Sequence, residues 1–153
     1  MQRVIVVRPY PARIRRKVFG ILRSVGLSIV DADIIAAGTS DDEVMARLAR
    51  EGPCAALLVP FHAHRDANGD LVNGLEVLRR LPGEAPRLVG TAVFCPISRM
   101  GRAAADLMLT RSKESGGLDR AELSKVLFLH EGDLDAPEIG DRVRRHVGAS
   151  GQR

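Results

Sequence analysis

Residues 55–60 read Ala-Ala-Leu-Leu-Val-Pro, and residues 73–83 read NGLEVLRRLPG, with a polar stretch from Phe61 to Asp70 between them. The first run is apolar at consecutive positions, as a strand buried on both faces requires. In the second, Leu75, Val77, Leu78 and Leu81 recur at helical spacing after Asn73-Gly74 and stop at Pro82-Gly83, which predicts an amphipathic helix. A doubly buried strand followed by a one-faced helix is the repeating piece of a parallel sheet covered by helices.

The same alternation extends in both directions. Strands are expected at Val4–Val7, Leu27–Val30, Ala55–Val59, Leu88–Phe94 and Val126–Leu129. Ile14, Val18, Ile21/Leu22 and Val25 mark a first helix, with Pro11 tolerable in its first turn and Gly26 as its stop. Ser40, followed by Asp41-Asp42-Glu43, resembles a helix cap with acids complementing the dipole, and Val44 and Leu48 share a face until Gly52-Pro53. Further helices are expected at Ile97–Leu109 and Pro137–Val147. The fold class is therefore α/β, a three-layer doubly wound five-stranded parallel sheet. Right-handed crossovers place the loops Arg8–Ala12, Asp31–Asp42, Pro60–Asp70, Cys95–Arg99 and His130–Asp135 at the carboxyl, ligand-facing edge.

A chain of 153 residues suits one domain, expected over residues 1–147 with a flexible tail at 148–153. The 23 Lys and Arg against 19 Asp and Glu give a mild, dispersed positive excess that permits acidic partners without demanding them. Cys54 and Cys95 have neither motif spacing nor a secretory leader, so reduced thiols are expected. No apolar run approaches the roughly 20 residues needed to cross a bilayer. A cytoplasmic protein with no membrane insertion is expected.

Three stretches, RVIVV at 3–7, ALLV at 56–59 with NGLEVLRRL at 73–81, and VLFLHEGDLDAPEIGDRVRRHV at 126–147, resemble in order the first strand, the third strand with its helix, and the last strand with its helix of bacterial response-regulator receivers. The resemblance implies a CheY-like, flavodoxin-like strand order 2-1-3-4-5 and a place in signal transduction. A receiver holds a carboxylate nucleophile at the end of its third strand, neighbouring acids for Mg²⁺, a hydroxyl near the fourth strand and a lysine after the fifth. Here those positions read Pro60, Arg8-Pro9, Thr91 and His130-Glu131. The expectation is a degenerate pseudo-receiver with no catalytic residues and no cofactor. Asp66 and Asp70 lie too far along the insertion to replace the acceptor, and Arg8 would favour an anion without helping a metal.

Two insertions stand out. Phe61–Asp70 contains His62, His64, Asp66 and Asp70 and an Asn68-Gly69 turn signal, suggesting a small hairpin; Thr110–Gly117 is polar and rich in Gly and Ser. His62-x-His64-x-Asp66 starts like a metallo-β-lactamase zinc motif, but the next ligand position is Ala67, and a solvated loop is the stronger reading. Asp66-x-Asn68-x-Asp70 starts like a calcium loop and then lacks the turn glycine and the bidentate Glu. Cys95-Pro96-Ile97-Ser98-Arg99-Met100-Gly101-Arg102 misses the Cys-x5-Arg phosphatase spacing by one residue, leaving a strand-to-helix turn with Ser98 near the helix start. No metal site is expected.

The leading function is a phosphorylation-independent regulatory adaptor acting on a protein partner. The candidate contact face is built from Arg99, Arg102, Lys113, His130 and Glu131, with Val93, Phe94, Met100, Met108 and Leu109 as apolar candidates. Receivers use this fourth-helix, fifth-strand, fifth-helix face for partners or for homodimers. A basic patch of Arg13, Arg16, Lys17 and Arg23 on the first helix, with Arg142 and Arg145 on the last, supports a lesser alternative, a nucleic-acid-binding accessory protein; few aromatics are present to stack bases. A third reading is a metal- or small-ligand-dependent enzyme built on His62, His64 and Asp66.

Overall fold

The computed structural model describes residues 2–98 and 120–151. In chain order the elements are β1 (Gln2–Val7), α1 (Ala12–Ser24), β2 (Leu27–Ser28), β3 (Ile34–Ile35), α2 (Asp41–Arg50), β4 (Ala56–Leu58), β5 (His64–Arg65), β6 (Leu71–Val72), α3 (Gly74–Glu84), β7 (Ala92–Ile97), α4 (Arg120–Ser124), β8 (Val126–His130) and α5 (Ile139–Gly151). The main sheet runs β2-β1-β4-β7-β8, with β3 also paired to β1. Every pairing in it is parallel, with Val6 opposite Leu58, Leu58 opposite Phe94 and Phe94 opposite Leu127. This is the five-stranded 2-1-3-4-5 order expected from the sequence, with an edge strand in two pieces.

Alternation along the strands builds two cores. Val4, Val6, Leu58, Phe94 and Leu129 meet Ile14, Val18 and Leu22 of α1 and Ile139 and Val143 of α5. Ile5, Val7, Leu57, Val59 and Cys95 meet Val44, Met45 and Leu48 of α2 and Leu75, Val77 and Leu78 of α3. The apolar residues of β1 and β4 thus have helices to bury against on both faces, which is why these central strands carry no polar alternation. Ser40 caps α2 by accepting a hydrogen bond from Glu43 N at 3.3 Å, and Asn73 caps α3 by accepting from Leu75 N at 3.0 Å. Such caps contribute about 1 kcal/mol each.

Several boundaries differ from expectation. The run Leu27–Val30 divides because a 3-10 turn at Asp31–Asp33 follows an exposed Val30, and buried Asp33 is held by Arg3, whose Nε donates to it at 3.0 Å. The fourth sheet position starts later than Leu88. Pro86 opens a 3-10 turn through Leu88, and Gly90 adopts φ +91, so the strand begins only at Ala92. It then runs through Pro96 and Ile97 instead of turning into a helix there, because the Pro96 carbonyl still accepts from Phe61 N at 3.0 Å. The remainder of the helix expected at Ile97–Leu109 lies outside the described residues. At the C-terminal end, residues 148–151 continue α5 instead of forming a tail. Ser150 is buried there and donates to the His146 carbonyl at 2.9 Å.

Candidate functional site at the carboxyl edge of the sheet

Where β1 ends, Arg8 takes a left-handed backbone conformation, φ +48. This is costly for a non-glycine residue. Its backbone N–H donates to Ile35 O at 2.9 Å, its Nε to Thr39 O at 2.8 Å, and its terminal nitrogen to Asp41 Oδ1 at 2.6 Å. The Arg8 side chain is 3% exposed and that of Asp41 26%. The guanidinium therefore spends its hydrogen bonds inside the protein, tying the strand end to the first residue of α2. This corrects the expectation that Arg8 favours an external anion.

Beside it, β4 runs into Val59, Pro60 and Phe61 without leaving its neighbour, since Val59 N donates to Phe94 O at 2.8 Å and Phe61 N to Pro96 O. Pro60 is the residue at which the receiver resemblance leads one to expect a nucleophile. Its carbonyl faces Gly74, the first residue of α3. A Cβ at Gly74 would lie far inside contact distance of the Pro60 oxygen, 3.0 Å from its carbonyl carbon and 3.2 Å from Val59 Cγ1. The position is closed by backbone against backbone and offers no side-chain oxygen.

The first insertion is the hairpin its turn signal predicts: His64–Arg65 pairs antiparallel with Leu71–Val72. Asp66 is buried and accepts from Asn68 N at 2.9 Å and Asp70 N at 3.0 Å, and Gly69 takes the required positive φ, +82. His64 stacks on Tyr10 with ring centroids 4.9 Å apart, and its Nε2 lies 2.6 Å from Ala37 O. Among the described residues no group of three or more His, Cys, Asp or Glu is placed to hold a metal ion. Asp66 is consumed by its own turn, which explains why the zinc-like and calcium-like spacings do not assemble ligands.

Two imidazole nitrogens at this edge, His62 Nε2 and His130 Nδ1, are buried and have no hydrogen-bond partner among the described residues. Burial holds the His62 pKa below its ordinary 6.5, with nearby Glu131 pulling upward and Arg13 adding to the depression. The strand register carries His62 to the level of Ser98, which is buried at the end of β7. Ser98 thus lies at the carboxyl edge of the sheet. Thr91 precedes β7 and lies at the opposite edge beside Cys54, because the true strand starts later than Leu88. Strand boundaries were the missing signal.

Of the other predicted contact residues, Arg99, Arg102 and Lys113, with Met100, Met108 and Leu109, lie outside the described residues, as does the second insertion. Val93 and Phe94 are buried in the two opposite cores and are unavailable as a surface. Glu131 accepts from Arg13 Nε at 2.9 Å and from one of its terminal nitrogens at 3.2 Å. The basic patch is partly neutralised in the same manner: Lys17 bonds Asp135 at 3.1 Å and Arg142 lies 3.9 Å from Asp133. Arg16, Arg23 and Arg145 have no acidic partner among the described residues.

No protein-family model matches the chain, and no curated protein matches it in sequence. Solved structures do match in fold. A CheY-like response-regulator receiver domain from Methanospirillum hungatei superposes with TM-score 0.55 at 14% identity, covering 99% of this chain and 98% of that one. The receiver domain of a Pseudomonas aeruginosa sensor histidine kinase, with magnesium coordinated in its active-site cleft, gives 0.53 at 14% identity over 98% of both chains. An adenylate cyclase from Rhodopirellula baltica gives 0.55 at 11% identity over 99% of this chain and 90% of that one. At these identities the likeness is one of fold. Among the described residues no helix is long and apolar enough to cross a membrane.

Proposed function

We propose that this protein is a pseudo-receiver, a phosphorylation-independent regulatory adaptor that works by protein contact on a receiver-like scaffold in a signalling pathway. The observation that carries the reading is the paired replacement at the ends of β1 and β4. Phosphoryl transfer to an aspartate needs the nucleophile itself and a divalent cation held by acids. Pro60 supplies no nucleophile, and Arg8 fills the neighbouring position with a cation already neutralised by Asp41 at 2.6 Å. What the scaffold retains is a rigid sheet presenting loops and helices, which suits association. The proposed contact face combines β8 and α5 with Arg99, Arg102 and Lys113.

The test has two arms. The intact protein is incubated with phosphoramidate and Mg²⁺ and weighed by mass spectrometry; no phosphoryl adduct is expected. Affinity capture with nuclease at two salt concentrations then compares it with an Arg99→Glu/Arg102→Glu variant. A nuclease-resistant partner lost in the variant supports the adaptor; an aspartyl phosphate, or capture that vanishes with nuclease and salt, sinks it.

A further inference from the structure

The helices treat their own charge differently. α2 opens with Asp41, Asp42 and Glu43 and closes with Arg47 and Arg50; α3 pairs Glu76 with Arg79 at 2.7 Å and Arg80 with Glu84 at 2.5 Å; α5 pairs Asp141 with Arg144 at 2.8 Å. α1 contains Arg13, Arg15, Arg16, Lys17 and Arg23 and no acid at all. Four of these cations sit in its first half, against the positive end of the helix dipole, an arrangement the helix does not choose for its own stability.

Arg13 and Lys17 are drawn to one flank by Glu131 and Asp135. Arg16 and Arg23 are left on the outer face, seven residues and about 10 Å apart. Arg23 is held in place by its guanidinium carbon 5.6 Å from the centre of the Phe19 ring. Between the two arginines, at the middle of the outward face by helical spacing, is Gly20. A Cβ there would meet nothing within 4 Å. The glycine therefore answers no packing need of this fold, in a helix interior where alanine is intrinsically favoured. It leaves room for a second backbone to lie close between two cations that have no acidic partner among the described residues.

We infer that the outer face of α1 docks an acidic helical segment of a partner protein, with carboxylates one heptad apart meeting Arg16 and Arg23 and the partner backbone crossing over Gly20. A helix is favoured over nucleic acid because its i, i+7 spacing matches that of the arginines, whereas two or three free cations release few counterions from a phosphate backbone. The inference deepens the adaptor reading and rests on it, adding a face separate from Arg99 and Arg102.

The probe is a labelled synthetic helix of Glu, Ala and Leu with Glu at i, i+3 and i+7, titrated by fluorescence anisotropy against the full chain at low and moderate salt, alongside its Glu-to-Gln counterpart and poly(U). Binding of the acidic peptide alone is expected, weakened about ten-fold or more by Arg16→Glu/Arg23→Glu and likewise by Gly20→Leu. Gly20→Leu raises helix propensity, so its melting temperature should not fall and lost binding cannot be lost folding. Equal affinity of either variant, or tighter binding of poly(U), overturns the inference. If the peptide fails while the capture partner still depends on Arg99 and Arg102, the adaptor reading stands without this face.

Discussion

β1 and β4 lie side by side with Val6 opposite Leu58, and a few residues later the two strand ends are completed by opposite physics. At Arg8 the chain accepts an unfavourable backbone conformation and a buried charge and offsets both with three hydrogen bonds. At Pro60 it removes polarity altogether and closes the position with the backbone of Gly74. One end is electrostatic and depends on a distant partner; the other is steric and depends on the absence of a side chain. The two strand ends thus use two unrelated local solutions, and each can be broken without touching the other.

The steric end should break hardest. Gly74→Ala places a methyl against the Pro60 carbonyl, and because the obstacle is backbone at the start of a packed helix it cannot swing aside. A loss of about 2–4 kcal/mol is expected in urea unfolding; an unchanged midpoint would mean the Pro60 carbonyl retreats freely. The electrostatic end should break asymmetrically. Asp41→Ala strands a buried guanidinium and should cost about 2–3 kcal/mol, whereas Arg8→Met leaves a carboxylate that is partly solvated and at a helix start, costing about 1–2 kcal/mol. Equal losses would deny that Arg8 is the buried, dependent partner. The smallest effect is a titration. His62 has a folded pKa below its ordinary 6.5, owing first to burial, so the unfolded chain takes up the proton first as pH falls. The His62 contribution is complete above 6.5 and is lost as pH drops towards the folded value, below which no more is lost. From about pH 7.5 to about pH 5, His62→Gln should flatten part of the decline in unfolding midpoint; a curve parallel to wild type would place the proton elsewhere.

The sheet order was legible because the strands are buried on both faces, so Val4–Val7 and Ala55–Val59 had to be apolar throughout, and because Ser40 and Gly26 punctuate their helices by local chemistry. The start of β7 was not legible. Leu88 is buried although it belongs to a turn, so hydrophobicity could not separate it from Ala92, and Pro96 signalled a stop that its accepting carbonyl makes unnecessary. That single displacement set Thr91 inside the expected strand, whereas it precedes β7. Residue identity placed an arginine at the end of β1 and a proline at the end of β4, but did not reveal that Asp41, 33 positions away, would neutralise Arg8. Ion pairs between Arg13 and Glu131, separated by 118 positions, are equally invisible to local pattern.

The divided edge strand has one more consequence. A free strand edge is a template on which another chain can grow by backbone pairing. On the β1 side the outermost strand consists of two dipeptides, Leu27–Ser28 and Ile34–Ile35, separated by the turn that Arg3 pins through Asp33. An incoming strand finds no run there longer than two residues in register, so cross-strand aggregation is refused on that side by the same arginine that anchors the sheet. The uninterrupted edge is β8, five residues long, and it lies at the other end of the sheet, where contact with a partner is also proposed.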